Sequence, residues 1–416
     1  MISRIRDTYQ EFPQTFWILV VAQFIDRLGA TLIMPFFSLY ITQKFGVGMT
    51  QAGILFGIFS ISGLIGSFIG GALTDRFGRR KLVLFGLVIS ALSSVSMGLV
   101  NDLRAFYLLA GVVGILSDVA GPAYQAMIAD ILVEEKRAEG FGVLRVAGNM
   151  AWIIGPTIGG LLASQSYLLL FILDAISSII TAIIVYRMIP ETKPEVSEEE
   201  ERGTLLDTMK GYVQVANDRL YLMFVLASIL VTTTYLQLYS TLSVFLRDVH
   251  GVSPQTFGSL MSLNALTVVI FQFWLTRRIK RFPQLVMMAA GTVLYMVGFT
   301  MYGFVLTYAG FLAAMLIITV GEMIIIPTSQ ALAARFAPAD MRGRYMAFFG
   351  LSWAIPSTFG ATAAGLIMDN YDPRWVWYSA GIIAALAAIG FLTLQARTQE
   401  RFAEEPTEEA QVVVAS

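Results

Sequence analysis

Glu322 lies in the run Gly321-Glu322-Met323-Ile324-Ile325-Ile326-Pro327, a single carboxylate among aliphatic side chains. Asp118, Asp26 and Asp174 occupy similar apolar stretches, and so do Arg27 and Arg145. The chemistry such groups support is proton exchange. A carboxylate in an apolar cavity is disfavoured as an anion and keeps a proton, and an arriving cation favours ionisation and drives the proton off. Histidine cannot take that part, because the single one, His250, falls between apolar runs. Asp26 and Arg27 are neighbours in the chain, so on a helix they project about 100° apart and cannot pair face to face. At least one of them should have a partner on another helix. Cysteine is absent, which removes disulfides and thiolate metal sites, and no nucleophile–base pair, metal-ligand cluster or phosphate loop stands out. Neither enzymatic activity nor a cofactor is expected.

Only a membrane can position these charges. The 416 residues are 56% hydrophobic and 14% charged, against about 25% charged in a soluble domain. A net charge of −1 offers no footprint for nucleic acid. Met1 to Glu11 is polar and mixed in charge, and the run behind it is too long for the core of a cleavable signal, so it reads as a retained span. Windows of about 20 residues, the length that crosses a bilayer as helix, mark twelve spans. In the first half these are 14–43, 49–74, 82–100, 104–131, 140–163 and 166–188. In the second half they are 219–246, 254–276, 284–307, 309–334, 343–367 and 374–395.

Lysine and arginine crowd into alternate loops, while the opposite loops hold only Lys44, Arg104, Arg247 and Arg374. This asymmetry predicts a multi-pass protein of the cell membrane with both termini cytoplasmic. Between the sixth and seventh spans lies the one long, charge-dense interior segment, with Glu198-Glu199-Glu200-Glu201. The chain therefore divides into a six-helix bundle over 1–189, a cytoplasmic linker over 190–218, a second bundle over 219–396 and an acidic, disordered tail over 397–416. The halves echo one another: Pro122-Ala-Tyr-Gln125-Ala126 matches Pro327-Thr-Ser-Gln330-Ala331, and the same shift sets Arg137 on Arg342 and Gly155 on Gly360.

The loop after the second span reads Gly70-Gly71-Ala72-Leu73-Thr74-Asp75-Arg76-Phe77-Gly78-Arg79-Arg80-Lys81. Glycines 70 and 71 are expected to admit a neighbouring helix, and Gly78 to permit the sharp reversal. This run resembles the signature loop of the major facilitator superfamily, Gly-x-Leu-x-Asp-Arg-x-Gly-Arg-Arg/Lys, at every fixed position. The resemblance implies an all-α integral membrane fold, with twelve helices in two pseudo-symmetric six-helix bundles around a central cavity. It also implies a conformational gate built from Gly71, Asp75, Arg76, Gly78, Arg79 and Asp130, with Asp75 docked on the start of span eleven. Asp130 has Arg76 or Arg79 as candidate partners. In the second half Arg277 stands where Asp75 stands in the first, so the gate is expected to be asymmetric.

Ala151-Trp-Ile-Ile-Gly155-Pro156-Thr157-Ile158-Gly159-Gly160 is similar to the antiporter motif of the drug–proton exporters in that superfamily, with Ala151 in place of the first glycine. Proline bends such a helix and the glycines allow close packing. The arginine these exporters carry in span four is replaced by Ala110. The Glu322 segment resembles the Gly-Glu-x-x-x-x-Pro run of proton-coupled multidrug permeases. Spans one, four, seven and ten line the cavity in the superfamily, which places Glu322, Asp118 and Asp26 as proton-coupling candidates. Asp174 and Arg145 would then be packing or gating charges, with an ion pair expected for Arg145. Arg27, Tyr235, Gln237, Tyr239 and Asn264 are candidates for the substrate cavity.

A chain with 29 Phe, 16 Tyr and 19 Met suits bulky amphipathic, often cationic, substrates. The expected function is proton-coupled export of such compounds by a monomer in the lipid bilayer. Two other readings stay open, a permease for a single small metabolite and a transport-dead receptor or scaffold of the same fold.

Overall fold

The computed structural model describes residues 11–193, 213–338 and 341–403, and among them there is no strand. Twelve helices are long and apolar enough to cross a membrane. Spans 1–6 are Gln14–Phe45, Met49–Gly71, Arg79–Leu99, Leu103–Ile131, Glu139–Ala163 and Tyr167–Met188. Spans 7–12 are Arg219–Ser240, Pro254–Ile279, Gln284–Met301, Tyr308–Phe336, Arg342–Asn370 and Trp375–Thr398. Their outward faces carry side chains that water would not tolerate: Phe68 is 83% exposed, Leu108 75% and Phe273 67%. A lipid environment removes that cost. The expected linker core over 194–212 and the tail beyond 403 lie outside the described residues.

Three spans depart from simple helices. Span 1 passes through a 3-10 turn at Met34–Phe36, where Pro35 lacks the N–H an α-helix needs. Span 4 divides at Val119 into Leu103–Asp118 and Ala120–Ile131, just ahead of Pro122. Span 7 ends at Ser240, and a separate helix, Leu242–His250, closes on Gly251 in the left-handed region. His250 therefore ends that helix.

The chain forms two compact units. The first holds residues 1–200, 236–269 and 357–373, and the second 201–235, 270–356 and 374–416. In the first unit, span 3 packs along span 6, span 2 along span 4, and span 1 along spans 5 and 6. Its core includes Phe16, Leu19, Met127, Ile128 and Val185, all fully or almost fully buried. In the second unit, span 9 packs along spans 10 and 12. There Phe224 stacks on Phe336 at 5.4 Å and on Phe349 at 5.7 Å.

The first unit contains a polar seam between its opening spans and the helix ends drawn from later in the chain. Asp369, in the last turn of span 11, accepts from the amides of Met49 and Thr50 at 2.8 Å each and so caps span 2. Ser60 bonds Ser357 at 2.9 Å, and Thr358 donates to Ser60 at 3.0 Å. Thr157 of span 5 donates to Ser262 of span 8 at 2.7 Å, and Arg247 to Thr42 at 3.0 Å.

Candidate functional site

Glu322 is half-buried on span 10, and its Oε1 accepts the Tyr235 hydroxyl at 3.0 Å. Tyr235 is held in turn. Its ring lies parallel to Tyr295 at 5.9 Å and meets Trp353 edge-on at 6.0 Å. Beside these rings is a void of about 20 Å³ reached by Ser228, Thr232, Ser329 and Ser352, about the room one water needs.

Span 10 stays helical through Pro327, and a neighbour fills the bond that the proline leaves open. Proline cannot donate to the Met323 carbonyl four residues back, and the Gln272 amide of span 8 supplies that hydrogen bond at 3.0 Å. Met323 adjoins Glu322, so Gln272 fixes the backbone that carries the carboxylate. Gln272→Leu is expected to leave that carbonyl unsatisfied and cost about 1–3 kcal/mol, seen as a lower denaturation midpoint of the purified protein. Adding Pro327→Ala, which restores the backbone donor, should recover most of the loss.

In the repeat-related position on span 4 the outcome differs. The helix opens at Val119, and Asp118, its last residue before the break, is exposed. Its carboxylate lies against Gly63 of span 2, in the space a Cβ there would take. Asp118 and Glu322 belong to different units.

Asp26 accepts from Ser178 of span 6 at 3.1 Å, and Ser178 also bonds Ser90 of span 3 at 3.2 Å. Asp174, one turn before Ser178, accepts from Ser94 and is 7% exposed. Both aspartates line one cavity of about 300 Å³. Span 6, expected to supply only packing or gating charge, thus brings Asp174 to the same wall as Asp26. Arg27 and Arg145 are exposed and form no ion pair with a described residue, so the ion pair expected for Arg145 is not among the described contacts.

At the loop after span 2, Gly78 turns the chain at φ 92°, ψ 162°. Arg79 donates to Asp130 at 3.0 Å, the pairing chosen from the two the sequence allows. Arg76 is exposed and its guanidinium lies over Phe77 at 5.4 Å. The side chain of Asp75 lies outside the described residues, and so does its expected contact. Close approach falls to Gly70, where a Cβ would overlap the Val119 carbonyl; Gly71 has open space. The expectation for Gly71 is thereby corrected, because position 71 faces away from span 4.

A residue that sequence reasoning passed over completes the loop. Glu191, just past span 6, accepts from the amides of Arg79 at 2.8 Å, Thr192 at 3.1 Å, Lys193 at 3.2 Å and Arg80 at 3.3 Å. Burial alone would raise its proton affinity, but these backbone donors outweigh that and hold the carboxyl below its usual range. It sits at the amino end of span 3, where the helix dipole favours an anion.

In the antiporter-like run, the glycines meet their neighbours closely. A Cβ on Gly155 would run into Thr31, and one on Gly159 would lie 2.6 Å from the Leu32 carbonyl oxygen. On Gly160 it would lie 2.7 Å from the Pro254 carbonyl oxygen, and the Pro156 carbonyl faces Gly258. Spans 1 and 8 thus pack directly on this stretch of span 5. Trp152 meets Tyr239 edge-on at 5.3 Å. Gln237 is buried, donates to the Gly360 carbonyl at 3.3 Å and accepts from Thr241 at 3.0 Å, and Asn264 is also buried. Of the five cavity candidates, Tyr235 meets a proton-coupling candidate, while Gln237 and Asn264 are turned into the packing of the first unit.

Twelve spanning helices, ionisable groups held at membrane depth and polar seams between helices define a multi-pass membrane transporter. The chain belongs to the Major Facilitator Superfamily, whose family model matches residues 19–361 and 247–415. It is 26% identical over 417 residues to a Na(+), Li(+), K(+)/H(+) antiporter of Planococcus maritimus, covering 92% of this chain and 96% of that protein. To the multidrug resistance protein MdtH of Escherichia coli it is 23% identical, covering 93% and 96%. The fold matches that of the nucleoside transporter NupG with a TM-score of 0.77 at 13% identity, over 92% of this chain and 99% of that one.

Proposed function

We propose that this transporter exports lipophilic, cationic compounds in exchange for protons, by alternating access in the cell membrane with both termini cytoplasmic. The observation that carries the reading is Glu322, a carboxylate in an apolar span that accepts the Tyr235 hydroxyl. A cation arriving there favours the ionised form, and a proton returning from the other side restores the neutral one. Asp118 and Asp26 are the remaining coupling candidates. Gly71, Asp75, Arg76, Gly78, Arg79 and Asp130 act as the gate, and Gly155, Pro156, Gly159 and Gly160 act as the packing hinge of the exchange cycle. Two six-helix bundles, 1–189 and 219–396, joined by 190–218, are the moving bodies, and the unit is a monomer. The likeness to MdtH supports the choice of drug-like substrates.

A second reading is exchange of alkali cations for protons, favoured by the Planococcus relative, which matches nearly the whole chain. The test is flux in proteoliposomes under an imposed pH gradient, with a fluorescent lipophilic cation or with sodium, for wild type and Glu322→Gln. Gradient-driven movement of the organic cation that Glu322→Gln uncouples is the expected result. Sodium flux without organic-cation flux would establish the second reading, and no flux of either would overturn both.

A further inference from the structure

We propose that the cavity shared by Asp26 and Asp174, inside the first unit, is a binding site for one lipophilic monovalent cation, which displaces a proton from the carboxyl pair. The proposal rests on the antiport reading above and adds to it a substrate contact on spans 1 and 6.

The lining of this cavity combines two opposite characters. Met34 and Phe37 of span 1, Phe59 of span 2 and Met97 of span 3 are among its apolar lining, and Asp26, Asp174 and four serines are its polar lining. A volume of about 300 Å³ falls at the lower end of small-molecule pockets. Aromatic faces and thioethers accept a diffuse organic cation, while the carboxylates neutralise it.

Asp174 is 7% exposed, and neither Asp174 nor Asp26 forms an ion pair with a described residue. Each carboxylate receives one serine hydroxyl, from Ser94 and Ser178. A buried carboxylate so placed is held either by a proton or by a cation from outside. The other ionisable groups nearby are Arg27, which is exposed, and Tyr124, whose hydroxyl is turned to the Leu19 carbonyl and Gln23. The site is also sterically built. Gly29 of span 1 leaves the space that Ser177 and Asp174 fill, since a Cβ there would run into the Ser177 hydroxyl and lie 2.7 Å from the Asp174 Oδ1.

The experiment is equilibrium binding of tetraphenylphosphonium to the purified full chain in nanodiscs, from pH 5 to 9. Wild-type affinity should rise with pH, as the cation competes with protons. Asp174→Asn and Asp26→Asn should each weaken binding at pH 8 by about tenfold or more and flatten the pH dependence. Ala30→Phe, which fills the cavity and leaves both carboxyl groups in the chain, should also weaken it, and Ile179→Ala on the exposed face of span 6 should not. Variants are compared only where the denaturation midpoint is retained; Ser94→Ala, a milder change, keeps the test open if an aspartate variant fails to fold. Binding that survives both Asp174→Asn and Ala30→Phe overturns the site while leaving export standing. The same holds if sodium or lithium, and not the phosphonium, displaces the proton there. A wild type that neither binds nor transports tetraphenylphosphonium overturns the site and the export reading together.

Discussion

Gly53→Ala is expected to pull apart the seam of the first unit and shift the protein toward conformations in which span 2 and span 11 separate. A Cβ at Gly53 would lie 2.5 Å from the Thr362 nitrogen, 2.6 Å from the Ala361 carbonyl carbon and 2.6 Å from the Thr362 Cα. All three are backbone atoms, so no side chain can swing aside. Overpacking of this kind costs about 1–3 kcal/mol, which corresponds to roughly a five- to 150-fold shift in a two-state equilibrium. The seam has a polar component that the substitution also strains, because Asp369 caps the first amides of span 2 nearby. The chain has no cysteine, so spin labels at introduced cysteines 50 and 371 can report the separation without background. A longer, broader distance distribution in Gly53→Ala is expected, with helical content unchanged. An unaltered distribution would mean that the seam tolerates a methyl group and is not a tight closure.

That seam illustrates what a sequence can and cannot display. The twelve spans were legible because each needs about 20 apolar residues in a row, a signal carried by every residue in the run. Breaks within them were less so. Pro35 and Pro122 look alike in sequence to Pro327, yet span 10 stays whole, and Gln272, some fifty positions earlier, fills the vacant hydrogen bond. Such compensation is a property of two helices and leaves no local pattern. The same holds for Asp174, whose value depends on Gly29 and Ser94 on other spans, and for Asp369, which caps a helix more than 300 residues away. Asp130 could be named with its two candidate partners because short loops limit the reach of a side chain. Gly71 misled because adjacent glycines face different ways on a helix, and only Gly70 meets span 4.

Gly78→Ala is expected to damage the loop after span 2 by two separable routes. At φ 92°, ψ 162° the backbone lies in a region that glycine alone adopts without strain, and an alanine there costs on the order of 1–3 kcal/mol. The new Cβ would also lie 2.7 Å from Glu191 Oε2 and 2.8 Å from its Cδ, forcing the carboxylate off the amides of Arg79 and Arg80. Glu191→Gln isolates the charge. Because the backbone donors hold the folded carboxyl below its usual range, its stabilisation is present above the ordinary carboxylate pKa and is lost as pH falls through the folded value. Wild type should therefore be more stable than Glu191→Gln near pH 7, with the gap closing below about pH 4. A double-mutant cycle then divides the two routes. If Gly78→Ala costs less in a Glu191→Ala background than in wild type, the difference is the displaced carboxylate, and what remains is backbone strain. An undiminished cost would assign the whole effect to the backbone, leaving Glu191 as a cap that moves freely with the loop.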